Sequence, residues 1–578
     1  MTWLGAGSER PIAIGAMRVT DERVLDAALR AGVTVVDTAD VYGAREGENE
    51  RLIAAALASW GGAPVTVISK SGLRREGERW LADGRATHVV EAAKASRERL
   101  GGGPLALHLL HAVDPQVPLA TSVRGLARLL DSGDASRVGL SNVNRTQLEA
   151  ALDICAISAV EVELGPHQVN AVRGGLVRFC EERGIPVLAY RPLGGVARAS
   201  RWGLKPVVRD IAAQRGVTPQ EVVLAWLRGL SPVVIPLPGV SRIETAASVA
   251  RSARLALAPD ELDRLSAAWL RLTARSLGAV PEKLSKLPPS PDGDGGNFDN
   301  FREVVVVMGM QGSGKSTVAR EMEARGYARF NRDERGGSLD KMARLLDEAL
   351  AGGVERAVLD NTYATRASRS PVIEIAGVFG VPVRCVWIDA SIEDAQVNAA
   401  ARLIETYDRL PEPGELVKLA KKDPAAFRPS AQFNWRRDFE PPSVEEGFAA
   451  VERVAFRRTA WPFVGQRRAL IVEMKVAEEV DVGAWRAAGW LVVGTAWEER
   501  VVSTELDVVV CPHPAGPPVC WCRKPLPGLG LLLTRRHGID LARSWHVGRG
   551  PADKGFAARL GLRFADPAEL PAPPPLVD

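Results

Sequence analysis

A nine-residue turn near the middle of the chain, Gly309-Met310-Gln311-Gly312-Ser313-Gly314-Lys315-Ser316-Thr317, leaves few folds open to the residues around it. Before it stands Val304-Val305-Val306-Val307, an apolar β-branched run that reads as a buried parallel strand. After it, Val318 to Met322 reads as the first turns of a helix. Glycines let backbone N–H groups turn inward around a polyphosphate, and the helix N-terminus adds partial positive charge. Gly309, Gly312, Ser313, Gly314 and Thr317 would form the cradle. Lys315 would reach the outer phosphates, and Ser316 would hold Mg²⁺. The expected ligand is ATP.

With 578 residues the chain is too long for one ordinary core, so several domains are expected. A hydrophobic content of 46% and a charged content of 25% are those of globular protein, and a net charge of +4 neither demands nor excludes nucleic acid. No apolar run approaches the roughly 20 residues of a membrane span, and Met1 to Ser8 lacks a basic-then-apolar secretory pattern. A cytoplasmic protein with no membrane partner is expected. Cys155, Cys180 and Cys385 are scattered, whereas Cys511, Cys520 and Cys522 crowd together, which suits metal ligation better than a disulfide framework.

Residues 1–280 alternate short apolar runs with amphipathic stretches. Thr34–Asp37, Val65–Ile68, Ala106–Leu110, Ala159–Val162, Pro186–Ala189 and Val233–Ile235 read as strands, and Asp21–Ala31 and Val117–Leu130 as helices. That alternation predicts an α/β fold, a (β/α)8 TIM barrel with chemistry at the C-terminal strand ends. Asp37, Lys70, His111, Ser141-Asn142 and Tyr190 stand there. On Asp37-Thr38-Ala39-Asp40-Val41-Tyr42-Gly43, Ser69-Lys70, Leu109-Leu110-His111, Gly139-Leu140-Ser141-Asn142, Ala189-Tyr190-Arg191-Pro192 and Pro238-Gly239-Val240-Ser241-Arg242, the segment resembles the aldo-keto reductases. The resemblance implies an NADP(H)-dependent reduction of a small carbonyl substrate. It makes Tyr42 the general acid, with Lys70, held by Asp37, lowering its pKa, and His111 orienting the carbonyl. Tyr190 would stack on nicotinamide, Ser141 and Asn142 would bind its amide, and Ser241 and Arg242 would meet the 2′-phosphate. The family usually has Gln where Glu161 stands, and an ionised carboxylate accepts from the nicotinamide amide but cannot donate. His108 is expected to be a packing histidine.

Residues 281–300, rich in proline, glycine and acids, read as an exposed linker. In the module at 301–460, a second strand ends at Asn331-Arg332-Asp333 and another at Asp360-Asn361-Thr362. A helix over Asp394–Arg402 puts Asn398 and Arg402 on one face, suiting a lid that carries Arg402 over the transferring phosphate. With Phe439-Glu440-Pro441-Pro442-Ser443-Val444-Glu445-Glu446-Gly447-Phe448, these motifs make the segment resemble polynucleotide kinases that phosphorylate 5′-hydroxyl ends. That resemblance implies a P-loop kinase α/β sandwich, an RNA or DNA 5′-hydroxyl acceptor and a place in nucleic-acid repair. Asp333 would be the general base, Arg402 the lid arginine and Asn398 a nucleotide contact. Asp360, Asn361 and Thr362 would lie on the acceptor side, with Arg335 near the place of an acceptor-gripping arginine. The stretch Lys418, Lys421, Lys422, Arg428, Phe433, Trp435, Arg436, Arg437 reads either as a strand-binding surface or as a solvated face over core aromatics.

Residues 466–578 resemble the haloacid dehalogenase superfamily in its histidinol-phosphatase-like branch, implying a HAD-like Rossmannoid α/β domain. The resemblance rests on Ala469-Leu470-Ile471-Val472-Glu473-Met474-Lys475, Thr495, Lys524, His546-Val547-Gly548-Arg549 and Asp553. Glu473 and Lys475 replace the Asp-x-Asp pair, and Arg549 replaces a metal-binding acid, so the phosphatase is expected to be inactive. The branch's zinc loop is present as Cys511, His513, Cys520 and Cys522, a set that closes a structural Zn²⁺ site. The whole then reads as a 5′-kinase fused to a reductase-like barrel. One alternative is a carbonyl reductase whose kinase acts on a small molecule, and another is one kinase flanked by binding modules.

Overall fold

The computed structural model describes Leu4 and residues 11–77, 79–269, 302–456, 458, 462–463, 465–497, 506–514 and 519–574. The predicted linker at 281–300 lies outside them. The chain divides into two compact units. One is Met1–Ser285 with Thr365–Ser370, and the other is Lys286–Ala364 with Pro371–Asp578.

The first unit is built on eight parallel strands: β1 (Ala13–Gly15), β2 (Val35–Asp37), β3 (Thr66–Ser71), β4 (Leu107–Leu110), β5 (Val138–Ser141), β6 (Val160–Glu163), β7 (Val187–Tyr190) and β8 (Val234–Leu237). They pair in chain order. Gly15 donates to Pro238 O at 3.0 Å and pairs with Gly239, closing the barrel. Most residues of these strands are buried, which suits their content of Val, Leu and Ile. The predicted helix over Asp21–Ala31 is Glu22–Arg30, started by Asp21, whose carboxylate accepts the Arg23 N–H at 2.9 Å. The barrel thus brings the C-terminal ends of β2, β3, β5 and β7 around one opening.

The second unit holds two five-stranded parallel sheets. The first contains β9 (Glu303–Met308), β10 (Ala328–Asn331), β11 (Arg356–Asp360), β12 (Val383–Asp389) and β13 (Ala450–Ala455), in the order β10-β11-β9-β12-β13. Central β9 is buried over its whole length, as its valine run predicts, and α1 (Lys315–Ala324) follows it through the phosphate turn. The second contains β14 (Ala469–Glu473), β15 (Leu491–Trp497), β16 (Val508–Cys511), β17 (Trp545–Val547) and β18 (Arg563–Ala565), in the order β16-β15-β14-β17-β18.

The helix predicted at Asp394–Arg402 is longer. It is α2 (Ile392–Tyr407), capped by Ser391 Oγ, which accepts the Asp394 N–H at 3.0 Å. Val397, Ala400, Ala401, Leu403 and Ile404 of α2 share a buried core with Leu529, Leu531 and Leu533 of α5 (Gly528–His537) and Phe556, Ala557 and Leu560 of α6 (Pro551–Leu560). Arg559 Nε donates to Gln396 Oε1 at 2.7 Å, and Arg535 Nη1 to Ile404 O at 3.0 Å. One face of the helix expected to act as a lid is thus buried in a core with α5, α6 and strands of the second sheet. Between them come the shorter α3 (Pro413–Leu419) and α4 (Ser430–Asp438).

Candidate active sites

In the barrel, Lys70 lies fully buried at the end of β3, hydrogen-bonded to Asp37 of β2 and donating to Thr38 O at 3.0 Å. Its Nζ stands 3.5 Å from Tyr42 Oη and 3.5 Å from Glu161. Asp37, Tyr42, Lys70 and Glu161 therefore form one buried group of two carboxyls, one ammonium and one phenol. Burial works against the Lys70 charge, but Asp37 and Glu161 outweigh it and hold the lysine above its ordinary range. Burial pushes the Tyr42 phenol up; Lys70 pulls it back, and Asp37 and Glu161 push it up again. The resemblance has Lys70 lowering the tyrosine. Here the net displacement is upward, because burial, with Asp37 and Glu161 adding to it, outweighs the pull of Lys70.

Glu161 itself is pushed up to about 8 by burial and by Asp37, against the pull of Lys70. A carboxyl that keeps its proton near neutrality has both a donor and an acceptor, like the amide it replaces. One of its oxygens, Oε2, is buried without a hydrogen-bond partner, as an amide-accepting atom would be before its ligand arrives. His111 is buried, held neutral by burial and Lys70, and set edge-on to Tyr42 with centroids 5.6 Å apart. His108 pairs with Ser71 Oγ at 2.8 Å in the core, the packing role expected of it.

Asn142 takes left-handed backbone (φ 58°) beyond β5, donates to His111 O at 3.0 Å and accepts from Tyr190 Oη at 2.7 Å. Ser141 Oγ accepts from Asn142 at 3.2 Å, so Ser141, Asn142 and Tyr190 form one patch beside His111. Ser241 and Arg242 are exposed at the start of the helix Ile243–Arg254. Sequence reasoning missed Trp80. It sits on a two-stranded hairpin, 39% exposed, with its ring 5.7 Å from Tyr42 and 6.2 Å from His111. The signal was faint: an isolated Trp amid charges, with Arg75 tying the hairpin to Val41 O and Gly43 O.

The phosphate turn has the geometry its glycines require. Gly312 and Gly314 both adopt φ 86°, and a Cβ on Gly312 would meet Ala395 O at 2.5 Å. Asn398 Nδ2 donates to Gly312 O at 2.9 Å, and Gln432 Nε2 to Gln311 O at 2.8 Å, so α2 and α4 brace the turn from outside. Lys315 is buried, donates to Met310 O at 2.7 Å and is pushed down to about 8 by burial, with Asp360 and Asp333 pulling it back. Ser313 Oγ is buried without a partner. Ser316 is half-buried, and Thr317 and Arg402 are exposed.

The acids on the neighbouring strands part company. Asp360, at the end of β11, is buried and accepts from Arg329 Nη2 at 2.7 Å and Asn331 Nδ2 at 2.9 Å, so it is a neutralised strut. Asn361 accepts the Arg332 N–H at 3.0 Å, and Thr362 O accepts Trp435 Nε1 at 3.2 Å, so both also serve the framework. Arg335 donates to Arg329 O at 2.8 Å and lies over Phe330, which turns its guanidinium toward its own strand. Asp333, just beyond β10, has a side chain 52% exposed. For the mixed basic and aromatic stretch, the aromatics take the core reading: Trp435 is buried and stacked on Phe439, with ring centroids 4.4 Å apart. Lys418, Lys421 and Lys422 are exposed.

In the last module, Glu473 ends β14, and Lys524 Nζ donates to its Oε2 at 2.5 Å and to Asp553 Oδ1 at 2.7 Å. His546 lies 3.1 Å from Asp553, and burial and Lys524 push it down to about 4. By the resemblance, Lys475 and Arg549 take the places of two acids of this site. In the structure Lys475 turns out over the Trp497 ring at 5.2 Å, and Arg549 pairs with Glu479 at 2.7 Å on the surface. The cation between the two carboxylates is Lys524. Nearby, Cys511, His513, Cys520 and Cys522 place one ligand atom each within 4.8 Å of the others. Cys511 Sγ lies 3.6 Å from Cys520 Sγ and 3.3 Å from Cys522 Sγ. A tetrahedron with Zn–S legs of about 2.3 Å has edges of about 3.8 Å, so the set fits that ion with small adjustments.

Set beside known proteins, residues 11–270 match the family model of the aldo/keto reductase family, and residues 304–418 match that of an AAA domain. The chain thus carries an aldo/keto reductase domain and, after it, a P-loop domain of kinase-like type. Among solved structures, the chain is similar to an aldo/keto reductase from Klebsiella pneumoniae in complex with NADP and acetate. The identity is 24%, the TM-score is 0.39, and the match covers 45% of this chain and 92% of that one. It is also similar to the glycerol dehydrogenase of Gluconobacter oxydans (22% identity, TM-score 0.39, 45% and 92% covered). A third is the aldose reductase of Giardia lamblia (22% identity, TM-score 0.39, 47% and 95% covered). No described helix is long and apolar enough to cross a membrane.

Proposed function

We propose that the P-loop module is an ATP- and Mg²⁺-dependent kinase that phosphorylates the 5′-hydroxyl end of an RNA or DNA strand, in nucleic-acid repair. The observation that carries this reading is the contrast between Asp333 and Asp360. Asp360 is buried and neutralised by Arg329, whereas Asp333 stands open to solvent beyond β10. An open carboxylate beside a phosphate cradle can orient a hydroxyl and take its proton as that hydroxyl attacks. Lys315 leaves Met310 O to meet the outer phosphates, and exposed Arg402 meets the transferring group. Ser316 would hold Mg²⁺, which neutralises phosphate charge when bound. Exposed Lys418, Lys421 and Lys422 suit a polyanionic acceptor. The test is to incubate the protein with labelled ATP and 5′-hydroxyl oligonucleotides, against small alcohols. Label on the alcohols alone would defeat the reading.

In the same proposal the barrel is an NADP(H)-dependent reductase of a small carbonyl compound. The cofactor supplies hydride when bound. Tyr42 donates the proton to the carbonyl oxygen, His111 orients that oxygen, and Trp80 walls the opening above them. Glu161 Oε2, Ser141 and Asn142 would hold the nicotinamide amide, Tyr190 would stack on its ring, and Arg242 and Ser241 would meet the 2′-phosphate. The last module is a scaffold without phosphatase activity that holds Zn²⁺ on Cys511, His513, Cys520 and Cys522.

A further inference from the structure

The four-ligand cluster does not end at its own loop. His513 Nδ1 faces the thiols, 3.1 Å from Cys522 Sγ and 3.7 Å from Cys511 Sγ. For Nδ1 to offer a lone pair to a metal, the ring proton must sit on Nε2. Nε2 is hydrogen-bonded to Glu412, a residue 101 positions earlier in the chain that belongs to the P-loop module and immediately precedes α3. The Glu412 side chain is 61% exposed, so burial does not explain its place. The neighbouring acid, Glu415, is held by Arg409 at 2.6 and 2.8 Å and accepts the Glu412 N–H at 3.3 Å in the capping box that starts α3, so the residue that meets the histidine is also the first residue of that helix's cap.

Two more contacts join the same segment to the metal loop. Leu416 of α3 is buried in one core with Cys511, Cys520 and Cys522. Trp521, between two of the cysteines, donates from Nε1 to Phe427 O at 3.0 Å, and its ring lies edge-on to Phe427.

We infer that Glu412 is the outer carboxylate of the metal site, accepting the Nε2–H of His513, so that zinc binding fastens α3 of the P-loop module to the last module. This rests on the zinc reading given above. A carboxylate behind a histidine ligand fixes its tautomer and ring orientation and raises its basicity. The metal is thereby a clasp between two modules and not only a brace within one loop. Loss of zinc by chelation releases α3.

The experiment uses the full chain, as wild type, Glu412→Ala and Glu412→Gln. Zinc affinity is measured by competition with a chromophoric chelator, and amide exchange is followed across 413–419 with zinc bound and after chelation. Glu412→Ala should bind zinc 10- to 100-fold more weakly. Glu412→Gln, whose amide oxygen still accepts but carries no charge, should fall between it and wild type. Chelation should speed exchange at 413–419 in wild type, and Glu412→Ala should show the faster exchange with zinc still bound. If wild type binds zinc and Glu412→Ala matches it within twofold, the clasp is overturned and the zinc site stands. A wild-type protein that binds no zinc overturns both.

Discussion

Replacing Glu161 by glutamine should stabilise the barrel progressively as pH rises from acid to about 8. The folded-state carboxyl is pushed up to about 8 from its ordinary 4.5 by burial and by Asp37, against the pull of Lys70. Below about 4.5 the folded and unfolded chains both hold this proton, and the carboxyl's favourable contribution is fully present. Between 4.5 and 8 only the folded chain holds it, so stability is lost with rising pH by at most about 1.4 kcal/mol per pH unit. Over the whole interval that sums to about 5 kcal/mol, an upper bound, because Asp37 and Lys70 share in the titration. A retained effect of about 2 kcal/mol corresponds to about 4–8 °C in a domain of this size. The assay is calorimetric melting of wild type and Glu161→Gln at pH 5, 6, 7 and 8, following the barrel transition. The glutamine variant should gain most at pH 8 and least at pH 5. A gap between the two proteins that stays constant over that range would refute the reasoning, since Glu161 would then not be taking up a proton in the folded barrel.

Lys315→Ala and Asp333→Ala should each cost at least about 100-fold in kcat for phosphate transfer to a 5′-hydroxyl oligonucleotide, and more ATP should not restore it. Near-native turnover in Asp333→Ala would show that another group takes the proton. Gly312→Ala should weaken ATP binding and destabilise its module by about 1–3 kcal/mol, since its Cβ would meet backbone at φ 86°; titration calorimetry and melting check both effects. The barrel should bind NADPH more tightly than NADH through Arg242, and Tyr42→Phe should spare that binding while removing reduction of a test aldehyde. Phosphate release from a 3′-phosphorylated oligonucleotide should be absent; turnover that vanishes in Glu473→Ala would show a glutamate nucleophile at work.

The barrel was legible because its strands are covered on both faces, so apolar runs such as Val187–Tyr190 and Val234–Leu237 stand out without help from pattern. Strand Ala13–Gly15 did not, because three residues ending in glycine carry no periodicity. Edge strand Ala450–Ala455 was missed for the opposite reason: it is largely exposed and carries Glu452 and Arg453 side by side at its centre. At the sites, motifs named the groups but not their pairings. Asp333 and Asp360 look alike as strand-terminal acids, and Arg329 alone, two residues before β10 ends, decides which one is neutralised. The Glu161 substitution was visible, but its consequence depends on Lys70 and Asp37, contributed by two other strands.

The joint formed by α2 was the least legible feature, and it bears on the proposed phosphate-transfer site. In sequence, Ile392–Tyr407 is an amphipathic helix of ordinary composition, and nothing in its period says what its apolar face meets. In the structure that face lies in one core with α5, α6 and strands of the second sheet. Asn398, on the same helix, holds the phosphate turn through Gly312 O. In the proposed kinase Arg402 would therefore be presented by a helix fixed from behind, so that its charge would be preorganised for the transfer. The same packing gives a physical reason for the chain to carry its last module. Its helices close a hydrophobic core that the P-loop module cannot close alone. Cutting the chain before β14 would leave Val397, Ala400, Ala401, Leu403 and Ile404 facing water and loosen the element that holds both Asn398 and Arg402.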